Sequence, residues 1–227
     1  MIRDKLGRPL RDLRISVTDR CNFRCRYCMP RERFGDGHTF LPKRALLSFE
    51  EIEKFVRACI PIGLRKVRIT GGEPLLRPNL HELVRMLGQT GVEVALTTNA
   101  SLLAKHAATL ADSGLDRVTV SLDALDPDIH SRMADCSVPV GDVLDGINSA
   151  LDHDLGPVKV NCVVQRGVNE SEVPSLVRHF KGTGVTVRFI EYMDVGRTNG
   201  WIPSQVVRSS ELIDKLRGEF DLLQVEP

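Results

Sequence analysis

The chain has 227 residues, 42% of them hydrophobic and 27% charged, and its 31 Lys and Arg stand against 30 Asp and Glu for a net charge of +1. That balance argues against a nucleic-acid or membrane surface, and no apolar run approaches the roughly 20 residues of a membrane span. With no apolar leader segment, a cytoplasmic protein is expected.

Strand-like and helix-like segments alternate along the chain. Period-2 patterning predicts strands at 13–17, 66–70, 93–97, 117–121, 158–164 and 185–190, and amphipathic spacing predicts helices at 49–59, 80–87, 102–112, 143–152 and 173–180. Helix starts carry their own signals: Ser48 with Glu51 forms a capping box, Asp126-Pro127 is an N-cap followed by proline, and Asn169 or Ser171 is positioned to cap the stretch before Pro174. Repeated β-α steps predict an α/β fold with a parallel sheet. The longest insertion, 29–47, follows a cysteine-rich loop that it could cover, and 206–220 reads as a polar helical connector.

The strands do not read as the continuous Val/Ile/Leu runs of a sheet buried on both faces. One face collects Leu13, Ile15, Val17, Val67, Ile69, Val94, Leu96, Val118, Val120, Val158, Val160, Val187 and Phe189. The other collects Arg14, Ser16, Lys66, Arg68, Thr70, Thr97, Arg117, Thr119, Ser121, Lys159, Asn161 and Arg188. If the sheet curls with its helices outside, that polar set lines the lumen, where so many cations are costly without water or an anion. A polyphosphate suits them, because guanidinium forks and ammonium groups are the usual donors to phosphate oxygens. Lys66 and Arg117, at strand starts, can instead reach solvent along their own stems; Arg14, Arg68 and Lys159 sit mid-strand, and for them the anion site is the better reading.

Between the first predicted strand and the insertion, Cys21, Cys25 and Cys28 stand in C-x₃-C-x₂-C spacing. Three thiolates on one loop can each hold an iron of a cubane and leave the fourth iron open, and an open iron on a low-potential cluster can bind a small molecule and pass it an electron. A zinc site would close with a fourth ligand, for which His38 or Cys136 would have to swing in. Cys59, Cys136 and Cys162 lie singly in apolar stretches and read as buried small hydrophobes. The turn Gly71-Gly72-Glu73-Pro74 follows the second strand at the end where parallel α/β folds place ligands; its glycines permit close backbone approach, and Glu73 could take an ammonium group.

With these residues in place the chain resembles the GTP 3′,8-cyclase family of radical S-adenosylmethionine (SAM) enzymes, which serves molybdenum-cofactor biosynthesis. The resemblance is carried by Lys5–Arg8, Leu13–Cys21, Cys25–Pro30, Phe40–Pro42, Arg68–Leu75, Thr97–Asn99, Val120–Asp123, Val158–Asn161 and Arg188–Met193. It implies a partial (β/α)6 barrel of the TIM type, with residues 1–204 as the core and 205–227 opening a C-terminal connector. It further implies a [4Fe–4S] cluster on Cys21, Cys25 and Cys28, SAM contacts at Tyr27, Gly72, Glu73, Ser121 and Met193, and GTP contacts at Arg14, Arg68, Thr97 and Lys159. In that family's chemistry a 5′-deoxyadenosyl radical removes hydrogen from C3′ of GTP, and the product is (8S)-3′,8-cyclo-7,8-dihydroguanosine 5′-triphosphate. The implied partners are GTP, an electron donor and, downstream, a cyclic pyranopterin monophosphate synthase; a homodimer is one assembly it allows.

Two departures are visible. Ala100 follows Thr97-Thr98-Asn99 where the family usually has glycine, and the family's second C-x₂-C…C cluster, which contacts guanine, would lie beyond Pro227 together with a Gly-Gly tail. Two further readings stay open: a radical-SAM enzyme acting on another small molecule or a peptide, and a non-catalytic iron–sulfur protein.

Overall fold

The computed structural model describes residues 2–195 and 200–225. In chain order its elements are β1 (Asp12–Ser16), α1 (Arg31–Phe34), α2 (Phe49–Cys59), β2 (Lys66–Thr70), α3 (Leu80–Gly88), β3 (Glu93–Thr98), α4 (Leu103–Asp112), β4 (Arg117–Ser121), α5 (Pro127–Ala134), α6 (Val140–Asp152), β5 (Lys159–Val164), α7 (Val173–Phe180), β6 (Thr186–Glu191) and α8 (Ser209–Arg217). The chain divides into two compact units, one of Met1–Asn22, His38–Ser121 and Gly141–Val158, the other of Phe23–Gly37, Leu122–Val140 and Lys159–Pro227.

In the first unit β1 to β4 pair in parallel and in sequence order, with Arg14 beside Arg68, Arg68 beside Ala95, and Ala95 beside Arg117. The predicted apolar face is the buried one: Val67, Ile69, Val94, Leu96, Val118 and Val120 are fully covered, as are Leu83 and Leu87 of α3, Leu103 of α4 and Val143 of α6. Each such side chain contributes about 1.5–3 kcal/mol on burial. Helix α2 starts where the sequence places it, with the Ser48 side chain accepting from Glu51 N and the Glu51 carboxylate accepting from Ser48 N. Its buried residues Ile52, Val56 and Cys59 follow helical spacing.

Ala100 adopts φ +60° and is fully buried. The backbone there is left-handed, as glycine would favour, and Ala100 holds it at a cost of about 1–2 kcal/mol. A neighbour accommodates it: a Cβ on Gly146 of α6 would lie 2.5 Å from Ala100 O, so glycine in α6 gives the turn its room.

In the second unit β5 and β6 pair in parallel, with Lys159 beside Thr186 and Asn161 beside Arg188. Helix α5 is capped by Asp126, whose carboxylate accepts from Asp128 N and Ile129 N, with Pro127 at the first helical position. Before α7 the outcome differs from the sequence reading. Its N-cap is Glu172, while Asn169 is fully buried and donates to Asp123 O at 2.8 Å and Val163 O at 2.9 Å. That amide is committed to two carbonyls and does not cap the helix, which still begins at Val173 as predicted. The apolar-stretch cysteines also divide. Cys59 and Cys162 are buried as expected, but Cys136 is half-buried in the turn after α5, its thiol directed at Val138 O.

Candidate functional site

The ends of β1 and β2 pin the cysteine loop from below. Gly72 N donates to Thr18 O and Glu73 N to Arg20 O, both at 2.7 Å. Such approach is possible only without side chains: a Cβ at Gly71 would lie 2.6 Å from Thr18 O, and one at Gly72 would lie 2.2 Å from Arg20 O. The two glycines are therefore needed for a backbone-to-backbone fit beneath Cys21.

Glu73 is 1% exposed, and its carboxylate is turned inward. One oxygen accepts from Leu75 N at 3.0 Å and from the Thr98 hydroxyl at 2.7 Å, and the other accepts from Asn99 N at 2.7 Å. Burial pushes its pKa up, and these three bonds work against that rise. The structure thus places Glu73 as a clamp on the turn after β3. Asn99, which carried no assigned role in the sequence, is the next link: its side-chain nitrogen lies 4.0 Å from Cys21 Sγ.

Across the polar face of the first unit, the cations meet two kinds of partner. Lys66 and Arg117 both pair with Glu93, the Lys66 ammonium at 3.1 Å. Burial acts against the Glu93 charge, but hydrogen bonds from Arg117 and Lys66 outweigh it and hold the carboxyl below its usual range. These strand-start cations therefore pair with a carboxylate on the neighbouring strand instead of reaching for solvent. Arg68, one register step further, donates to the hydroxyls of Thr97 and Thr119 at 3.1 Å each. Ala95, its neighbour in register, has only a methyl, which leaves room for the guanidinium to cross β3. The Arg14 side chain is exposed and makes no hydrogen bond or ion pair among the described residues, and Ser121 is half-buried at the end of β4.

In the second unit Cys28 N and Met29 N both donate to Cys25 O, at 2.9 and 2.8 Å, which makes Cys25–Cys28 one tight turn. Between them, the Tyr27 hydroxyl donates to Asp123 Oδ2 at 2.7 Å. Asp123 Oδ1 accepts from Val163 N at 2.8 Å, which ties the carboxylate to β5. Burial pushes Asp123 up to about 6 and, with the Asp123 charge beside it, pushes the Tyr27 phenol well above its usual range, so the phenol remains a donor. A cavity of about 360 Å³ opens beside this turn, lined by Tyr27, Cys28, Val163, Ile190, Tyr192 and Met193 among others. Tyr27, Cys28 and Met193 are thus brought together around one mostly apolar space, a setting that suits a purine ring. On β5 Lys159 is half-buried, and next to it Arg188 donates to Asn161 Oδ1 at 3.0 Å.

None of the three motif cysteines is in a disulfide. No group of three or more His, Cys, Asp or Glu among the described residues is drawn together as a single ion would require. A cubane does not require that, because each thiolate takes its own iron. The donor set fits a cluster by its chemistry: soft thiols in a short loop, with an amide nitrogen facing the first of them.

Asn99 and Asp123 were missed as functional residues although both lie in quoted motifs. The signal was a polar residue immediately after an apolar strand, at the end where ligands bind.

The Radical SAM superfamily matches residues 15–180. The chain is 53% identical to a GTP 3′,8-cyclase of Acidothermus cellulolyticus, with 100% of this chain and 63% of that protein covered. It is 49% identical to a GTP 3′,8-cyclase of Staphylococcus haemolyticus, with 100% and 67% covered. It thus spans somewhat under or about two thirds of the length of these curated relatives. Among solved structures, anSMEcpe with bound AdoMet superimposes with a TM-score of 0.70 at 18% identity over 92% of this chain and 59% of that one. Methylornithine synthase (PylB) gives 0.67 at 14% identity over 92% and 62%. At such identities the likeness is one of fold; the parallel α/β fold is the one the alternating strands and helices predicted, and the partial barrel is the one the resemblance implied.

Proposed function

The chain belongs to the radical SAM superfamily and, within it, to the GTP 3′,8-cyclase family, and from that premise we propose that it carries the catalytic core of a GTP 3′,8-cyclase, the enzyme of the first step of molybdenum-cofactor biosynthesis. The observation that carries this reading is the Cys25–Cys28 turn with its adjoining cavity, where Tyr27 and Met193 wall a space next to a ligand thiol. Cys21, Cys25 and Cys28 would hold a [4Fe–4S] cluster, which with SAM supplies a carbon radical able to take hydrogen from an unactivated C–H bond.

The remaining task of the chain is binding, orientation and exclusion of water. Tyr27 and Met193 form apolar walls for the adenine and thioether parts of SAM. The turn at Gly72, anchored on Thr18 and Arg20, offers backbone close to Cys21 for the amino-acid part of SAM. Ser121 stands at the end of β4 for a ribose hydroxyl. Glu73 supports that turn through its three bonds, so its carboxylate acts on SAM through the loop it clamps. Arg68, which donates to the Thr97 and Thr119 hydroxyls, presents a guanidinium of the kind that binds a triphosphate oxygen, and Arg14 and Lys159 are the other cations assigned to GTP. A low-potential electron donor completes the reaction.

The test is anaerobic reconstitution of the chain and its Cys→Ser variants, followed by iron and sulfide counting, then incubation with SAM, reductant and GTP. Loss of iron from Cys21→Ser, Cys25→Ser and Cys28→Ser, but not Cys59→Ser, Cys136→Ser or Cys162→Ser, is expected, with 5′-deoxyadenosine formed by the wild type. Full iron in Cys25→Ser, or tight binding of a peptide and none of GTP, would overturn the reading.

A further inference from the structure

Next to Cys21 three side chains close a ring of hydrogen bonds. Asn22 Nδ2 donates to Ser101 Oγ at 2.9 Å, the Ser101 hydroxyl donates to Asn99 Oδ1 at 2.7 Å, and Asn99 Nδ2 donates to Asn22 Oδ1 at 2.9 Å. The ring runs in one sense only. Ser101 N, which cannot be anything but a donor, also points at Asn99 Oδ1, at 3.0 Å, so that oxygen is fixed and the amide cannot be turned over. Asn99 N is held in turn by Glu73 Oε2 at 2.7 Å, and Asn99 is 8% exposed.

An amide nitrogen carries two protons, and the ring uses one. The other side of Nδ2 faces Cys21 Sγ at 4.0 Å. We propose that Asn99, oriented by Ser101, Asn22 and Glu73, is a positioning residue for Cys21 that donates to its sulfur and so sets the reduction potential of the cluster. The proposal rests on the reading of Cys21 as a cluster ligand. Hydrogen bonds to ligand sulfurs stabilise the extra negative charge of the reduced cluster and raise its potential, and partners behind a ligand orient it. A residue that only braced the loop would need no donor directed at the sulfur, whereas this ring leaves Asn99 with a proton available for that purpose.

The experiment uses the full chain, anaerobically reconstituted, with Asn99→Asp, Ser101→Ala and Cys21→Ser variants. Asn99→Asp keeps the shape and the oxygen facing Ser101 but removes the donor; Ser101→Ala keeps the donor and the Ser101 N bond to Asn99 Oδ1 but opens the ring at the hydroxyl, which loosens the amide without releasing it. Midpoint potentials from redox titration followed by electron paramagnetic resonance should move negative in both, further in Asn99→Asp, while retention of iron under chelator challenge falls by about ten-fold. Melting of the apo Ser101→Ala chain should match the wild type. A wild-type potential in either variant with a full cluster overturns the proposal, as does a loss of apo stability that accounts for the loss of iron. Should Asn99→Asp take up no cluster although its apo chain melts normally, the positioning role stands and the potential of Ser101→Ala decides the donor role. Full iron in Cys21→Ser would instead break the ligand assignment, an outcome separate from any result on Asn99.

Discussion

Cys21 is approached by an amide, the Asn99 side chain, whereas Cys25 and Cys28 flank a phenol, Tyr27, and each of these groups is held by a buried carboxylate: Glu73 behind Asn99, Asp123 behind Tyr27. Glu73 grips backbone, taking Asn99 N and Leu75 N together with the Thr98 hydroxyl. Asp123 takes one backbone donor, Val163 N, and one side-chain donor, the hydroxyl of Tyr27, a residue that lines the cavity. The first arrangement fixes a loop through its main chain and reaches the sulfur at one remove. The second orients a side chain directly and leaves its carboxylate able to titrate near neutrality. Sulfur and cavity are therefore under separate control, and variants in one arrangement should leave the property governed by the other unmoved.

The largest effect is expected beneath the first arrangement. In Gly72→Ala the new methyl would meet the backbone oxygen of Arg20 at 2.2 Å, and no flexible side chain is there to give way. The turn must separate from Arg20, at a cost of about 3 kcal/mol, and the Glu73 clamp goes with it. Iron content after reconstitution should fall to background, and wild-type content would show that the close approach is dispensable.

The second effect is one of pH. The Asp123 carboxyl titrates at about 6 in the folded chain, above its ordinary value, so the folded state binds the proton more tightly than the unfolded state. Its stability contribution is therefore complete below about pH 4 and is lost as pH rises through about 6, by an amount on the order of 3 kcal/mol. Denaturant titrations of the apo chain and of Asp123→Asn between pH 4 and 7 should show the wild type losing ground to the variant as pH rises. Parallel curves would mean that the carboxylate is better solvated than its buried position implies.

Much of the frame was readable in the chain, because alternation fixes which strand face is covered and capping residues fix where helices start. All six predicted strands and the helices at 49–59 and 173–180 fall within a residue or so of their predicted bounds. The Arg68 and Thr97 pair was readable too, since both lie on one face of adjacent strands. Asn169 was misread because an asparagine ahead of a proline has the local form of a cap, and only the fold reveals the two carbonyls that need it. Lys66 and Arg117 were expected at solvent because their common partner, Glu93, begins a different strand. Asn99 and Asp123 escaped for a similar reason: their partners lie far off in sequence, at Asn22 and Tyr27, and no spacing rule connects such residues.

Within the first arrangement, Glu73→Gln should cost about 1–3 kcal/mol, because one of the two oxygens becomes a donor facing another donor at Asn99 N or at Leu75 N and Thr98. The loss should appear as reduced iron retention with the cavity beside Cys28 unchanged. Unaltered retention would show that Asn99 keeps its orientation from Ser101 alone.

Tyr27→Phe is the smallest change and the one that most sharply separates the two arrangements. The phenyl ring preserves the wall of the cavity, but Asp123 Oδ2 loses its 2.7 Å donor while Oδ1 keeps Val163 N. A buried hydrogen bond to a charged acceptor is worth about 1.5–3 kcal/mol when the orphaned group stays dry, and less, about 1 kcal/mol, when the carboxyl can take a proton instead. At pH 7 the Asp123 carboxyl has lost most of its protons and feels the loss; near pH 5 it is mostly protonated and does not. SAM should then bind several-fold more weakly to the variant at pH 7 and nearly as well as to wild type at pH 5, where equilibrium dialysis can measure both. The midpoint potential should stay at the wild-type value throughout, because the amide facing Cys21 is untouched. A shift in potential comparable to that of Asn99→Asp would show that phenol and amide govern one property, and the separation of sulfur from cavity would fail.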